Sequence, residues 1–371
     1  SLFDVVVDAT YTKILKPDAR AYQHCMDELA SVDPLITDPA NIVFVDDQPK
    51  NVQGALAMGW QAVQFDVMQP KVGFKLALDL LKTKRKIDMK LSKTEPLKIG
   101  VLGAANIAKQ FTDAVRDSRQ VKVVAVASRD AAKAEAFGAA HGVATRHGSY
   151  EALLADPHVE CIYIPLPNSM HSEWAVKAAN AGKHVLCEKP LALNLAEATA
   201  MFDAARKNHV MLLEAFPYYF QPQTGVMMDL IASGAIGDVR SVSASFGFTL
   251  PPPGVGSSAN GTNIRLIPEL GGGSLTDAGS YPLSLIRLAM GCKPARVLAH
   301  PQWDKVADVD IAMMATLFYA DGRMAQMSCA MNVANERRAT IRGTNGTLET
   351  EYINHAGVPL ASQLRLRKGT A

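Results

Sequence analysis

Hydrophobic and polar positions follow two different patterns along the chain, and the change falls near Phe216. Before that point, short apolar runs alternate with helical stripes, which is typical of a parallel sheet with crossover helices. This first pattern occurs twice, over Leu2–Phe65 and again from Leu97. After Phe216, apolar and polar residues alternate in runs separated by turns such as Asp321-Gly322, a pattern that indicates antiparallel strands.

The first stretch predicts only a small α/β piece. Its strands are expected at Leu2–Val7, Ile42–Val45 and Gln61–Phe65, with helices after Pro17 and over Pro49–Met58. The basic run over Lys71–Lys98 begins as a helix and loses its periodicity. We interpret it as a solvated helix face and linker rather than as a surface for nucleic acid or lipid.

The remaining chain predicts two domains of different class. Strands of the first are expected at Lys98–Leu102, Val121–Ala127, Cys161–Ile164, His184–Cys187 and Val210–Glu214. Those of the second are expected at Val239–Phe248, Val309–Phe318, Met324–Met331, Arg337–Gly343 and Thr347–Tyr352. The fold class is therefore α/β: a doubly wound Rossmann domain followed by an α+β domain with an open, mainly antiparallel sheet. We place the boundaries at 1–88, 89–96 (linker), 97–215 and 216–371.

Composition excludes several classes of function. The 371 residues carry 38 Lys+Arg against 36 Asp+Glu, and this net charge of +2 gives no reason to expect nucleic acid. The 5 cysteines are scattered without a C-x-x-C pair, so we expect neither disulfides nor a zinc site, and a cytoplasmic location fits best. No apolar run reaches the roughly 18 residues of a membrane span.

A degenerate dinucleotide motif opens the second α/β stretch. Gly103-x-Ala105-x-x-Ala108 follows a strand and opens a helix, where small residues let backbone amides approach a pyrophosphate. An ordinary strand-to-helix turn is the alternative. The next strand ends at Ser128-Arg129 rather than at an acidic residue, which favours NADP(H) over NAD(H) because these side chains suit a 2′-phosphate.

Two further segments could carry acid–base chemistry. Lys189 lies in Cys187-Glu188-Lys189-Pro190, where a strand turns into a helix, and could orient a substrate hydroxyl. Asp277 and Tyr281 follow a run of glycines and are four residues apart, on one face of the predicted helix. The structural alternatives are a surface turn for Lys189, and a helix-capping Asp277 with a packed Tyr281.

These motifs, in this order, resemble the Gfo/Idh/MocA oxidoreductases from about residue 97 onward. The branch of D-xylose and dihydrodiol dehydrogenases is the most similar. The residues that carry the resemblance are Gly100–Ala108, Tyr163–His171, His184–Leu191, Glu214–Phe216, and Asn263–Arg265 leading through Glu269-Leu270 to Asp277-x-Gly279-x-Tyr281.

The resemblance implies catalytic roles for Lys189, Asp277 and Tyr281, with Tyr281 as the general acid/base. It implies that Lys189, Arg265, Asp277 and Tyr281 bind the substrate. The expected cofactor-binding residues are Gly103, Ala104, Ala105, Asn106, Ile107, Ser128, Arg129, Pro165, Leu166, Asn168, His171, Glu188 and Lys189. It further implies a homodimer through the open sheet, no metal requirement, and a sequence shorter at its carboxyl terminus than its relatives.

The first 88 residues resemble something else, the carboxyl-terminal half of a haloacid-dehalogenase-superfamily hydrolase. The resemblance rests on Lys16-Pro17-Asp18 and on Val45-Asp46-Asp47, and it makes Asp46 and Asp47 weak, vestigial Mg²⁺ candidates. Asp8 lies too close to Lys16 to be the superfamily's nucleophile. We therefore expect the strand with the nucleophile to be missing before Ser1.

These observations predict an NADP-dependent oxidoreductase that moves a hydride between nicotinamide and a hydroxyl carbon of an aldose or cyclic diol. Two alternatives stay open. One is a hydrolase fragment fused to a nucleotide-sensing domain, and the other is a non-catalytic, cofactor-binding regulatory protein. The sequence does not specify the substrate, whose selection we assign to Arg265, Tyr218, Tyr219 and the loop Leu250–Thr262.

Overall fold

The computed structural model describes residues 16–32, 38–39, 42–64, 95–250, 263–351 and 363–369. The chain divides into two compact units, Ser1–Thr94 and Glu95–Ala371. Among the described residues, no helix is both long enough and apolar enough to cross a membrane.

The described residues of the first unit form two short parallel strands and two helices. These elements are α1 (Ala19–Val32), β1 (Val43–Asp46), α2 (Pro49–Ala57) and β2 (Gln61–Gln64). Tyr22 and Trp60 meet edge to face at 5.3 Å in its small core. The expected strand Leu2–Val7 and most of the basic run before Lys98 lie outside the described residues.

Asp46, one of the two vestigial metal candidates, already has partners in this unit. Its carboxylate accepts hydrogen bonds from Lys16 Nζ at 2.5 Å, from the Gln48 backbone N–H at 2.9 Å and from Asn51 Nδ2 at 3.0 Å. Within the described part of the chain, no group of three or more potential ligands could hold a metal ion. The hydrolase resemblance of this unit stays a prediction.

The second unit begins with a sheet of six parallel strands in the order β5-β4-β3-β6-β7-β8. The strands are β3 (Leu97–Leu102), β4 (Val121–Ala127), β5 (Thr145–His147), β6 (Cys161–Ile164), β7 (His184–Glu188) and β8 (Leu212–Ala215). The helices are α3 (Asn106–Ala114), α4 (Ala131–His141), α5 (Tyr150–Ala155), α6 (His171–Asn180) and α7 (Leu195–Lys207). This strand order confirms the predicted doubly wound Rossmann fold, whose ligand crevice lies where the order reverses, at the carboxyl ends of β3 and β6.

A mixed sheet of seven strands follows, in the order β10-β11-β12-β9-β13-β14-β15. The elements are α8 (Pro222–Ala232), β9 (Val239–Thr249), α9 (Ser280–Met290), β10 (Arg296–Asp304), β11 (Val309–Phe318), β12 (Met324–Ala330), β13 (Asn332–Gly343), β14 (Gly346–Glu351) and β15 (Leu364–Lys368). Helix α9 packs on one face through Leu285 and Ile286, against inward residues such as Val242 and Met327. The mainly antiparallel sheet was predicted, although β12 and β9 form a parallel pair.

Sequence patterns missed four elements of this unit: β5, α5, β10 and β15. Nearly every residue of β10 is exposed, and β15 reads Leu-Arg-Leu-Arg-Lys. Both are edge strands, and a strand without a consistently buried face gives no clear alternation. The sheet is therefore wider at both edges than predicted.

Packing at two glycines makes opposite predictions for alanine substitution. At Gly343, at the end of β13, a Cβ would overlap the carbonyl oxygen of Ile236, so Gly343→Ala should lower the free energy of unfolding by about 1–3 kcal/mol. Gly225, inside α8, has open space around it, so the control Gly225→Ala should raise the free energy of unfolding by about 0.5–1 kcal/mol. Urea denaturation measures both, and a Gly343→Ala protein as stable as the parent would contradict the packing.

Candidate active site

The side chains predicted to act chemically meet at the carboxyl edge of the Rossmann sheet. Lys189 follows β7, and its Nζ donates to the backbone carbonyl of Asp277 at 2.8 Å and to Asp277 Oδ1 at 2.9 Å. Arg265 Nε donates to the other carboxylate oxygen, Oδ2, at 2.6 Å. Asp277 is thus held between two cations, one from each domain of this unit.

Asp277 lies on a wide helical turn rather than at the start of an α-helix. Residues Leu275–Gly279 form a π-helical turn directly before α9, which is a correction to the predicted single helix opened by Asp277. Such turns are rare and are often found at functional sites. Asp310 on β11 holds the turn, since its Oδ2 accepts from Ser274 Oγ at 2.5 Å and from the Leu275 N–H at 2.8 Å.

The glycine run brings this turn close to the segment that carries Arg265. A Cβ at Gly272 would overlap the carbonyl oxygens of Arg265 and Ile267. The N–H of Gly273 donates to the Arg265 carbonyl at 2.9 Å. The close backbone approach expected of these glycines therefore positions Arg265 beside Asp277.

Tyr281, on the first turn of α9, lies in an aromatic environment and is 5% exposed. Its ring stacks on Phe246 of β9 at 4.6 Å, with an interplanar angle of 13°, and meets the edge of Phe216 at 5.7 Å. Lys189 Nζ lies 4.9 Å from the centre of the same ring. The structure therefore brings Lys189, Asp277 and Tyr281 together, as their predicted roles require.

Burial and charge shift the pKa values of these groups in different directions. Burial would raise the pKa of Asp277, but the charges of Lys189 and Arg265 outweigh it and lower the pKa to about 2. Burial would lower the pKa of Lys189, but Asp277 and Tyr281 raise it above its usual range. For Tyr281, burial raises the pKa and Lys189 opposes the shift only in part. At neutral pH Asp277 is ionised, Lys189 is charged and the phenol holds its proton.

Glu188, predicted to line the cofactor cleft, is paired with a tyrosine. Tyr163, on β6, donates its hydroxyl to Glu188 Oε1 at 2.6 Å. Burial raises the pKa of Glu188, and the hydrogen bond from Tyr163 opposes that shift. Burial also raises the pKa of Glu214, whose Oε1 accepts from the Leu191 N–H at 2.8 Å. Glu214, on β8, therefore supports the turn that follows Lys189.

The turn between β3 and α3 fits a dinucleotide. Gly103 has a φ of +116°, where a Cβ would press against the Leu166 side chain. Ala105 precedes α3 and provides no side-chain cap, so the amides of the first turn stay available to an anion. Ala104, Ala105, Asn106 and Ile107 lie around this turn, as the motif predicts.

Ser128 and Arg129 follow β4, at the position expected for the adenosine ribose. Ser128 is buried, and its Oγ accepts from the Asp130 N–H at 3.2 Å, so the hydroxyl proton remains available to an acceptor. Arg129 is exposed, and its guanidinium lies 5.9 Å from the ring centre of Tyr150. An exposed cation beside a hydroxyl is compatible with a phosphate group.

The segment after β6 contacts two neighbouring segments. Pro165 is buried, and Leu166 packs against the Gly103 turn. Asn168 Nδ2 donates to the carbonyl of Gly271 at 2.8 Å, which links the Rossmann domain to the glycine run.

His171, predicted among the residues of the cofactor cleft, is 0% exposed. Its two ring nitrogens lie 2.8 Å from the carbonyl oxygens of Pro190 and Leu166. Burial lowers the pKa of His171, which favours a neutral ring that donates to one of the two carbonyls. The imidazole therefore holds the Lys189 turn against the cofactor-side loop.

Sequence reasoning missed Phe246, Asp310 and Arg337 as members of this site. Phe246 and Arg337 are register partners on β9 and β13, and Asp310 is on β11. An inward-facing position on a strand was the only available signal, since strand pairing cannot be read from periodicity alone.

Comparison with known proteins supports the fold and the chemistry. Residues 97–216 match the family model described as an oxidoreductase family with an NAD-binding Rossmann fold, and residues 226–349 match the Gfo/Idh/MocA C-terminal domain. The NADP⁺-dependent D-xylose 1-dehydrogenase 2 of Haloferax volcanii is 39% identical over 71% of this chain and 79% of its own length. The chain belongs to the Gfo/Idh/MocA oxidoreductase family.

Two other relatives extend the range of substrates in this family. Trans-1,2-dihydrobenzene-1,2-diol dehydrogenase of Danio rerio is 35% identical over 68% of this chain and 75% of its own. The crystal structure of the 3-ketoreductase KijD10 from Actinomadura kijaniata, in complex with NADP and TDP-benzene, superposes with a TM-score of 0.67. It is 31% identical and covers 74% of this chain and 82% of that one. The protein is therefore an oxidoreductase with an NAD(P)-binding domain.

The charge pairing at Asp277 predicts a loss of stability in Asp277→Asn. The Lys189 and Asp277 side chains are only 12% and 17% exposed, so removing the carboxylate should cost roughly 3 kcal/mol. The pKa of Asp277 is depressed, so this contribution is present above about pH 4 and is lost as the pH falls toward 2. Urea denaturation at several pH values should show the two proteins converging in acid.

The matched control for this prediction is Glu173→Gln. It breaks the exposed pair of Glu173 with Lys177, whose side chains are 56% and 44% exposed, and should cost less than about 1 kcal/mol. Equal losses in the two variants at neutral pH would contradict the buried ion pair.

Proposed function

We propose that this protein is an NADP-dependent dehydrogenase that acts on a hydroxyl carbon of an aldose or cyclic diol. The observation that carries the proposal is the ammonium of Lys189, which donates to Asp277 and lies 4.9 Å from the centre of the Tyr281 ring. The dehydrogenases of Haloferax volcanii and Danio rerio act on substrates of this class. A bound nicotinamide would supply hydride chemistry at its C4 atom.

Residues of this chain bind the substrate hydroxyl, transfer its proton and position the groups that do so. Asp277 accepts two of the N–H groups of Lys189, counting its backbone and side-chain oxygens, and leaves one N–H for a substrate hydroxyl. Tyr281 moves the proton: its phenol gives a proton to the carbonyl oxygen in reduction and takes it back in oxidation. Arg265 keeps the Asp277 carboxylate in place and reaches the substrate from the second domain.

We also propose that the cofactor binds to residues 97–215 and that the substrate binds to residues 216–371, with Lys189 reaching it from the cofactor domain. The homodimer through the open sheet and the cytoplasmic location stay predictions.

Replacing Tyr281 by Phe tests the general acid/base role. Loss of the hydroxyl should lower kcat by about 10²–10⁴-fold in both directions, with NADPH binding kept, because the ring still packs on Phe246. Steady-state rates and NADPH fluorescence measure the two effects. The control Tyr319→Phe removes the hydroxyl of a buried tyrosine whose ring contacts Arg323 rather than Lys189 in the described residues, and should retain most activity. Full turnover by Tyr281→Phe would disprove the assignment.

The direction of the Tyr281 pKa predicts the pH dependence. Because burial raises this pKa above its usual value of 10, oxidation, which needs the phenolate, should become faster between about pH 7 and pH 10. Reduction, which needs the phenol, should change little over the same range. A pH profile of kcat/KM in both directions checks this, and an oxidation rate that is flat from neutral pH upward would contradict it.

Arg129→Ala tests the preference for NADP. Loss of one charge-assisted contact to the 2′-phosphate should raise the KM for NADP⁺ by about 10–100-fold and leave the KM for NAD⁺ within about twofold. The control Lys122→Ala removes an exposed cation near the opposite end of β4 and should change neither value. Equal effects of Arg129→Ala on the two cofactors would contradict the assignment.

A further inference from the structure

An arginine that the proposed chemistry does not use lies beside the catalytic tyrosine. Arg337 is the register partner of Phe246, and its guanidinium carbon is 5.1 Å from the centre of that ring. Phe246 in turn stacks on Tyr281. The charge of Arg337 also reaches the phenol, since it is one of the influences that lower the pKa of Tyr281 against burial.

Arg337 has no anionic partner among the described residues. Its Nε is buried and makes no hydrogen bond. The arginines around it differ: Arg265 is bonded to Asp277, and Arg338 lies 3.8 Å from Glu351. A buried guanidinium N–H without an acceptor lowers the stability of the protein. We therefore expect a bound molecule, rather than one of the described residues, to supply the acceptor.

The two arginines of the site lie along one row of side chains. Phe246 and Phe248 are two residues apart on β9 and point to the same face of the sheet. Arg337 lies over Phe246, and Arg265 lies 5.5 Å from the ring centre of Phe248. Two guanidinium groups, those of Arg337 and Arg265, therefore lie against this face of β9, near Tyr281.

The carboxyl groups around Tyr281 are engaged with partners other than Arg337. Lys189, Arg265 and Arg337 supply cations, and Asp277 supplies the carboxylate that the first two share. Three further acids lie in the described site, and each has another partner: Glu188 accepts from Tyr163, Glu214 accepts from the Leu191 N–H, and Asp310 accepts from Ser274. None of these carboxyl groups is hydrogen-bonded or ion-paired to Arg337 in the described site.

We propose that Arg337 binds an oxyanion group, a carboxylate or a phosphate ester, carried by the sugar substrate. The enzyme then prefers acidic sugars to neutral ones. A planar guanidinium presents paired donors that match either oxyanion, which makes Arg337 a specificity-determining residue for the reaction. The inference rests on the proposed function, because it concerns the substrate of the same site.

The test compares D-glucose, D-glucuronate and D-glucose 6-phosphate as substrates with NADP⁺. In the parent protein, one or both acidic sugars should have a kcat/KM at least about tenfold above that of D-glucose, and the better of them identifies the oxyanion. Arg337→Gln should remove this advantage mainly through KM, since one charge-assisted contact corresponds to about 10–100-fold. The kcat/KM for D-glucose, which has no oxyanion, should fall at least about tenfold less than that for the preferred acidic sugar.

Two further variants separate recognition from structure. Arg337→Lys keeps the charge and should recover part of the preference, while the control Arg338→Gln, at the exposed neighbouring position, should keep all of it. An equal loss for neutral and acidic sugars in Arg337→Gln would show a purely structural role and overturn the proposal. Equal kcat/KM values for all three sugars in the parent protein would also overturn it.

A binding measurement keeps this test independent of turnover. Isothermal titration of D-glucuronate, D-glucose 6-phosphate and D-glucose into the NADP⁺-loaded protein should show tighter binding of an acidic sugar, and Arg337→Gln should abolish the difference. Binding without any preference would contradict the proposal. Failure of the proposed function gives a different result, namely bound NADP⁺ without turnover of any sugar.

Discussion

The contact between Lys189 and Asp277 joins the Rossmann domain to the second domain at the candidate active site. Lys189 comes from the edge of the parallel sheet, and Asp277 comes from the turn that starts the main helix of the second domain. The ammonium is bonded to both a backbone and a side-chain oxygen of the same residue, so it is fixed in direction as well as in distance. Most of the other residues of the site either hold Lys189 and Asp277 in position or lie in contact with them.

Burial strengthens the attraction between Lys189 and Asp277 and also imposes a desolvation penalty on both charges. Aromatic rings of Phe216 and Phe246 surround Tyr281 and exclude water, so the charges of Lys189 and Asp277 interact in a medium of low dielectric constant. Asp277 stays ionised only because two cations flank it. The same exclusion of water raises the pKa of Tyr281, so a single physical cause holds the ion pair together and keeps the phenol protonated.

Support for the site comes from backbone segments that are far apart in sequence. His171 lies between the carbonyls of Leu166 and Pro190, and Asn168 bonds to Gly271 across the domains. Asp310 holds the start of the π-helical turn from a third direction. These ties use main-chain atoms, which any residue provides, and therefore leave a weak signal in the sequence.

The sequence by itself determined the features that depend on neighbours along the chain. The change from helical to alternating periodicity separated the two domains, and the motifs around Gly103, Lys189 and Asp277 identified the family, because each is a local backbone conformation with its required residues. Tertiary structure alone decided the rest: the parallel pairing of β9 with β12, the exposed edge strands β10 and β15, and the placing of Phe246 and Arg337 beside Tyr281. The reason is that strand register and the charge balance of a buried site depend on partners distant in sequence, and periodicity carries no information about them.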